Sequence, residues 1–331
     1  MSRDWTVQEI RDLVKDRFGK RPCWLQVKIA LALYAKKDVV GVAATGAGKT
    51  LSFWIALLMA LEDGEDKMIF VVTPLNLLGK QNVETLGKAG LSAIAVDAET
   101  LTKKPEVFKE IEDRKYHVVL INPELLMDNE DVAKLWMKPH VTKHILYFTF
   151  DEGHCVSQWN TFRNQYKHLG DLRYLIPEII PFYVASATLP PAVLLDVAEI
   201  LRLRHDMTEH IIRSNDRPEI SLMVRGLTFP ASNYKDLDFL IPHGYKEDDP
   251  PIPKFLVFFD NTKEAEVACH HLRKLLPSSL RKKIKYFHST MTQAYREEEL
   301  TEMKASNTWG LCCTDAFGMG MDLPDIKIVV Q

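Results

Sequence analysis

Two clusters in this chain carry residue types suited to phosphate chemistry. The first is Thr45-Gly46-Ala47-Gly48-Lys49-Thr50-Leu51. Its glycines let backbone N–H groups face an anion with no Cβ in the way. Lys49 has the reach to contact β- and γ-phosphates, and the Thr50 hydroxyl can bind Mg²⁺. The second is Asp151-Glu152-Gly153-His154. Asp151 can hold Mg²⁺ through its water shell, while Glu152 orients and deprotonates an attacking water. Each cluster also has a plain reading, a glycine-rich turn in one case and an acidic strand-to-loop turn in the other. Their joint presence, and the elements around them, favour the chemical reading.

Those elements must bring the clusters together. Val39–Val42 is β-branched and apolar, which predicts a buried strand, and Leu51–Leu61 predicts an apolar helix. Strand, glycine loop and helix in that order form a P-loop, with Ala43 where the strict pattern has its first glycine. The positive end of the helix, near Lys49, adds to anion binding. Upstream, Thr6-Val7-Gln8-Glu9 has capping-box spacing, Gly19 ends that helix, and Pro22 opens a second running to about Lys37. Downstream, strands are expected at Met68–Thr73, Ser92–Val96, Val118–Asn122, Ile145–Asp151 and Phe182–Ser186. Helical stretches are expected near 75–88, 104–114, 128–136 and 166–175. This alternation predicts an α/β fold with a mainly parallel sheet covered on both faces, and such sheets bind ligands at the carboxyl ends of their strands.

A second cycle begins near Pro218, with strands expected at Ile220–Val224, Phe255–Phe259, Lys285–Phe287, Leu311–Cys313 and Ile326–Val330. Domains of 1–213 and 214–331 follow. The proline-rich and acidic stretch Phe229–Pro253 is expected to be a surface insertion with one short helix at Tyr234–Ile241. At 331 residues, 46% hydrophobic and 26% charged, the composition is that of a soluble globular protein long enough for two cores. No apolar run is long enough to span a bilayer, and no secretory or transit-type start is visible, so an intracellular protein is expected. Five scattered cysteines without a C-x-x-C pair argue against a disulfide framework or a zinc site. A net charge of −3 makes no global case for nucleic acid, which would have to bind at local patches.

The residues after the acidic pair carry a resemblance. DEGHCVSQWNTFRNQY, from Asp151 to Tyr166, resembles the DEAH box and aromatic-rich loop of the RecQ family of superfamily 2 DNA helicases. FGKRPCWLQ (Phe18 to Gln26) resembles that family's motif before the P-loop, and TPLNLLGKQ (Thr73 to Gln81) its motif Ia. INPELL, SAT (Ser186 to Thr188) and CTDAFGMGMDLPDIKIVVQ resemble later motifs in the same order. The resemblance implies two tandem RecA-like domains, the second incomplete at its C-terminus, with ATP and Mg²⁺ as cofactors. It assigns Gln26 to the adenine edge and leaves Arg21 and Lys28 either near the nucleotide or as surface cations. Lys49, Asp151 and Glu152 become catalytic residues, with Thr50 and Asp151 at the metal. Gln158, Trp159, Phe162 and Arg163 would sense single-stranded DNA, through stacking and phosphate contacts, or else simply pack. Ser186 and Thr188 would couple nucleotide state to domain movement. Asp315, Gly318, Gly320 and Asp322 would approach nucleotide and DNA, with Asp322 at the nucleotide.

The implied activity is ATP-dependent 3′-to-5′ translocation and unwinding, on single-stranded and forked DNA, in the nucleus if the source is eukaryotic. Gly153 replaces the usual alanine of the box and is expected to loosen the backbone there. His154 is open between a structural and a coupling role. The basic cluster of Arg273, Lys274, Arg281, Lys282, Lys283 and Lys285 reads as a solvated helix and turn. The arginine-finger motif, and the family's zinc-binding and winged-helix modules, would lie beyond Gln331. One alternative is a non-catalytic ATP-gated nucleic-acid-binding protein lacking the arginine finger; a second is an RNA helicase, against which the aromatic loop after the acidic box argues.

Overall fold

A computed structural model of the chain describes residues 3–331 except 75, 161, 162, 315, 316, 318–322 and 324, and gives no side chains for 76–78, 80, 81 and 293. Phe162, Asp315, Gly318, Gly320 and Asp322 thus lie outside the described residues. The chain forms two compact units, Met1–Ile220 and Ser221–Gln331.

The first unit is built on seven strands: β1 (Asp38–Val42), β2 (Met68–Val72), β3 (Ala93–Val96), β4 (Val118–Ile121), β5 (Ile145–Phe150), β6 (Phe182–Ser186) and β7 (Thr208–Ile212). They lie in the order β3-β4-β2-β5-β6-β1-β7, and every recorded pairing is parallel. Every residue of β1, β2 and β6 is buried, as expected where helices cover both faces. The sheet separates two apolar clusters. One holds Phe70, Phe148, Phe150 and Phe182, and the other packs α1 (Val7–Phe18), α2 (Trp24–Tyr34) and α3 (Lys49–Glu62). Ser52 to Ala60 of α3 are all buried, which explains why that helix is apolar all round rather than amphipathic. The Thr6/Glu9 capping box forms and Gly19 ends α1 in the left-handed conformation.

β7 was not foreseen. Glu209 and His210 break its apolar pattern, and it forms as an edge strand through its ladder with β1. The expected helices at 104–114, 128–136 and 166–175 are each shorter or broken, with an additional helix at Pro123–Asp128 capped by Asn122.

In the second unit, β8 (Phe255–Phe258), β9 (Ile284–Phe287), β10 (Gly310–Cys313) and β11 (Ile328–Val330) form a parallel sheet in the order β11-β8-β10-β9. Two expectations fail here. Ile220–Val224 is not a strand: Leu222, Met223 and Val224 are exposed and make no recorded ladder. β-propensity without a pairing neighbour does not make a strand. Nor is 229–253 a surface insertion. Its segment Lys235–Leu240 is a 3₁₀ helix, and Leu237, Leu240, Ile241, Tyr245 and Ile252 are buried in one cluster with Phe255. Phe229 and Phe239 stay exposed, while the five buried residues contribute to the core of this unit. No helix among the described residues is long and apolar enough to cross a membrane.

Candidate nucleotide site

Strand register brings the two clusters to one edge. Val42 pairs with Ser186, and Val184 with both Val40 and Phe150, so β1, β5 and β6 end side by side. The glycine loop leaves β1, the acidic box leaves β5, and Ser186 ends β6 between them.

The loop is held from several sides. The Ala43 N–H donates to the Ser186 carbonyl at 3.2 Å. Gly46 (φ 83°) and Gly48 (φ 79°) occupy the left-handed region, where a side chain would be strained. The Gln26 amide donates to the Gly48 carbonyl at 2.8 Å, while its oxygen accepts from the Cys23 N–H at 2.7 Å. A Cβ on Gly48 would come within 2.8 Å of that Gln26 nitrogen. Gln26 is therefore 5% exposed and locked against the loop, a contact its helical position alone did not reveal. Arg217, which the sequence did not single out, donates to the Thr45 carbonyl at 3.0 Å. Thr50 and Leu51 lie in the first turn of α3. Arg21 forms no recorded contact here, and Lys28 pairs instead with Glu209 at 3.6 Å.

The Lys49 ammonium bonds the Ala43 carbonyl at 2.9 Å, inside the arc of the loop. Burial lowers its pKa against the opposing fields of Glu152 and Asp151. Burial and the adjacent Glu152 push Asp151 up to about 7, although the Glu152 N–H donates to Asp151 Oδ1 at 2.9 Å and Lys49 is near. Both groups thus sit where isolated charge is disfavoured. Two carboxylates and a hydroxyl are hard oxygen donors suited to Mg²⁺, and a lysine at a glycine loop suits phosphate. Among the described residues no group of three or more His, Cys, Asp or Glu side chains could hold a metal ion.

Glu152 adopts φ 49°, the left-handed region that residues with a side chain seldom occupy. Gly153 does not loosen the box as expected. Its backbone is helical (φ −54°), its N–H donates to the Ala185 carbonyl at 2.8 Å, and an added Cβ would lie 2.4 Å from Val184 Cγ1. A side chain here would require Val184 to shift. His154 Nδ1 lies 3.0 Å from Ser186 Oγ and 3.5 Å from a Glu152 oxygen. Ser186 Oγ in turn accepts from the Thr188 N–H at 3.2 Å. His154 therefore links the acidic box to the Ser186–Thr188 turn.

Beyond the box, Gln158 is exposed and Trp159 half-buried, its ring 5.9 Å from Tyr166 and 4.5 Å below the Arg163 guanidinium. Arg163 also pairs with Glu124 at 3.4 Å. Trp159 thus has both the packing role and an accessible surface.

Residues 24–197 match the model of the DEAD/DEAH box helicases, and residues 238–331 that of the helicase conserved C-terminal domain. The chain belongs to the DEAD/DEAH box helicase family. Several of its curated relatives are RecQ-family DNA helicases, as the motifs had indicated. It is 27% identical to the probable ATP-dependent DNA helicase RecS of Bacillus subtilis, covering 92% of this chain and 57% of that protein. It is also 27% identical to ATP-dependent DNA helicase Q1 of Rattus norvegicus, covering 93% and 47%. The chain thus spans about half the length of these two relatives. Among solved structures, the DUF1998 helicase MrfA bound to DNA and AMPPNP superposes with TM-score 0.70 at 16% identity, covering 97% of this chain and 45% of that one. Yeast Dbp5 bound to RNA and ADP BeF3 gives 0.65 at 15%, covering 98% and 79%. The fold is that of two tandem RecA-like helicase domains.

Proposed function

We propose that this helicase-family chain is the motor core of an ATP-dependent DNA helicase, coupling ATP hydrolysis to single-stranded DNA binding and 3′-to-5′ movement. The observation that carries the reading is the convergence of Lys49, Asp151 and Glu152 at one sheet edge, with Lys49 in the field of both acids. Gly46, Ala47 and Gly48 cradle the phosphates with Thr45 and Leu51 beside them. Lys49 balances charge on the β- and γ-phosphates, and Gln26 reads the adenine edge. Mg²⁺, held by Thr50 and by Asp151 through water, would supply charge neutralisation on the transferring phosphoryl group. Glu152 orients the attacking water and takes its proton. His154, bonded toward Ser186, offers a path by which the state of the acidic box reaches Ser186 and Thr188. Trp159, Phe162 and Arg163 supply ring and guanidinium groups for a DNA strand, and Gln158 an amide.

ATP turnover with and without single-stranded DNA tests this. Lys49→Ala should abolish turnover, and Trp159→Ala should keep nucleotide binding while losing DNA stimulation. Turnover by the Lys49 variant would remove the P-loop assignment, and unchanged stimulation in the Trp159 variant would leave that loop purely structural. Because a relative at 25% identity is named an RNA helicase, competition by RNA of equal length decides the polymer. Stronger competition by RNA would overturn the DNA reading.

A further inference from the structure

Two buried tyrosines meet α3, one on β5 and one on β6, both strands that lead into proposed functional residues. Tyr147 lies on β5, which runs into Asp151-Glu152, and its hydroxyl donates to the Phe53 carbonyl at 2.6 Å. Tyr183 lies on β6, which ends in Ser186, and its hydroxyl is 2.7 Å from Ser52 Oγ. Tyr147, Tyr183 and Ser52 are all fully buried. Ser52 spends its single proton on the Lys49 carbonyl, 2.5 Å away, so the Tyr183 hydroxyl must be the donor to Ser52. This makes a directed relay from β6 through Ser52 to the backbone of Lys49.

Neither bond is needed to complete the helix, whose interior carbonyls already have helical partners. Nor are the hydroxyls forced on the core by shape. A phenylalanine would fill the same apolar space, whereas each buried hydroxyl costs desolvation unless it is bonded. Room for Tyr183 is made by Gly41 on the adjacent strand, where a Cβ would lie 2.8 Å from the tyrosine ring and 3.0 Å from its oxygen. The ring is fixed edge-on against Phe53, with centroids 5.7 Å apart. Burial raises the pKa of both hydroxyls, so they remain proton donors throughout the ordinary pH range.

We propose that Tyr147 and Tyr183 are positioning residues that hold the start of α3, and with it Lys49 and Thr50, in register with the acids that follow β5 and with Ser186 on β6. The inference rests on the nucleotide-site reading above. Phosphate contacts come chiefly from the glycine loop and Lys49, all within one segment. The metal requirement is different, because Thr50 on α3 and Asp151 after β5 must reach one ion from separate elements. Losing register therefore weakens metal-dependent affinity more than metal-free affinity.

The test measures binding of a fluorescent ATP analogue to the whole chain in Mg²⁺ and in EDTA, together with Tm. Tyr147→Phe and Tyr183→Phe should each lower the Mg²⁺-dependent gain in affinity about fivefold to tenfold, with affinity in EDTA changed less than about twofold. Ser52→Ala should reproduce Tyr183→Phe, and the double variant should be no worse than either single one, because both interrupt the same relay. A lower Tm with an unchanged Mg²⁺ gain in all variants would overturn the proposal and leave the hydroxyls as packing. Additive Ser52 and Tyr183 effects would remove the relay. If the unaltered chain binds no nucleotide in either condition, the nucleotide-site reading itself falls, an outcome distinct from variants that behave like the parent.

Discussion

Gly153 shows how a single missing methyl can fix a site. Val184 Cγ1 stands 2.4 Å from where its Cβ would be, so restoring the alanine of a DEAH box pushes the box away from β6. We expect Gly153→Ala to cost about 1–3 kcal/mol, with recovery of most of that loss in Gly153→Ala/Val184→Ala. Chemical denaturation checks it, and equal stability of Gly153→Ala and the parent would show that β6 yields freely. Gln26 and His154 make a related point. Both residue types were present in the sequence, but a glutamine on a helix and a histidine after a strand have many uses. Their contacts with the Gly48 carbonyl and the Ser186 hydroxyl, far away in the chain, are what tie them to the site.

Among the elements, β1 is anchored by a buried ion cluster at the end opposite the loop. Asp38 is fully buried, accepting from Arg173 at 2.8 Å, from Arg204 at 2.8 and 3.0 Å, and from the Phe182 N–H at 2.8 Å. Burial alone would raise the Asp38 pKa, but the Arg204 hydrogen bonds and the Arg173 charge outweigh it and the net shift is downward. Burial pulls Arg173 down despite Asp38, yet an arginine starts so far above neutrality that it stays charged, and the carboxylate carries the pH dependence. A folded-state pKa below the unfolded value of about 3.9 adds stability that is complete above that pH and lost as pH falls through the folded value. Asp38→Asn should therefore cost about 3–5 kcal/mol at pH 7, with the gap to the parent closing as pH drops below about 4. Urea unfolding across pH reads this directly. A gap that stays constant down to pH 3 would contradict it. The same element scale explains the missed β7 and the unformed strand at 220–224: pairing decided both, against local pattern.

For the whole molecule, each unit has its own apolar clusters, one on either face of the first sheet and two in the second unit. All of the described nucleotide-site residues belong to the first unit. A chain ending at Ile220 should thus unfold cooperatively and bind the nucleotide analogue within about tenfold of the full chain, while losing DNA-stimulated turnover. Calorimetry and the binding assay check this, and a fragment without a cooperative transition would show that the first core depends on the second unit. The sequence by itself determined the alternation of strands and helices, the glycine loop, the acidic box and the family, because these depend on local periodicity and on short runs of residue types. The tertiary structure decided that 229–253 builds core, that Gly153 answers to Val184, and that Tyr147 and Tyr183 meet α3. Each of those facts joins residues remote in the chain, and proximity of that kind is set by strand order and packing, which no local pattern encodes.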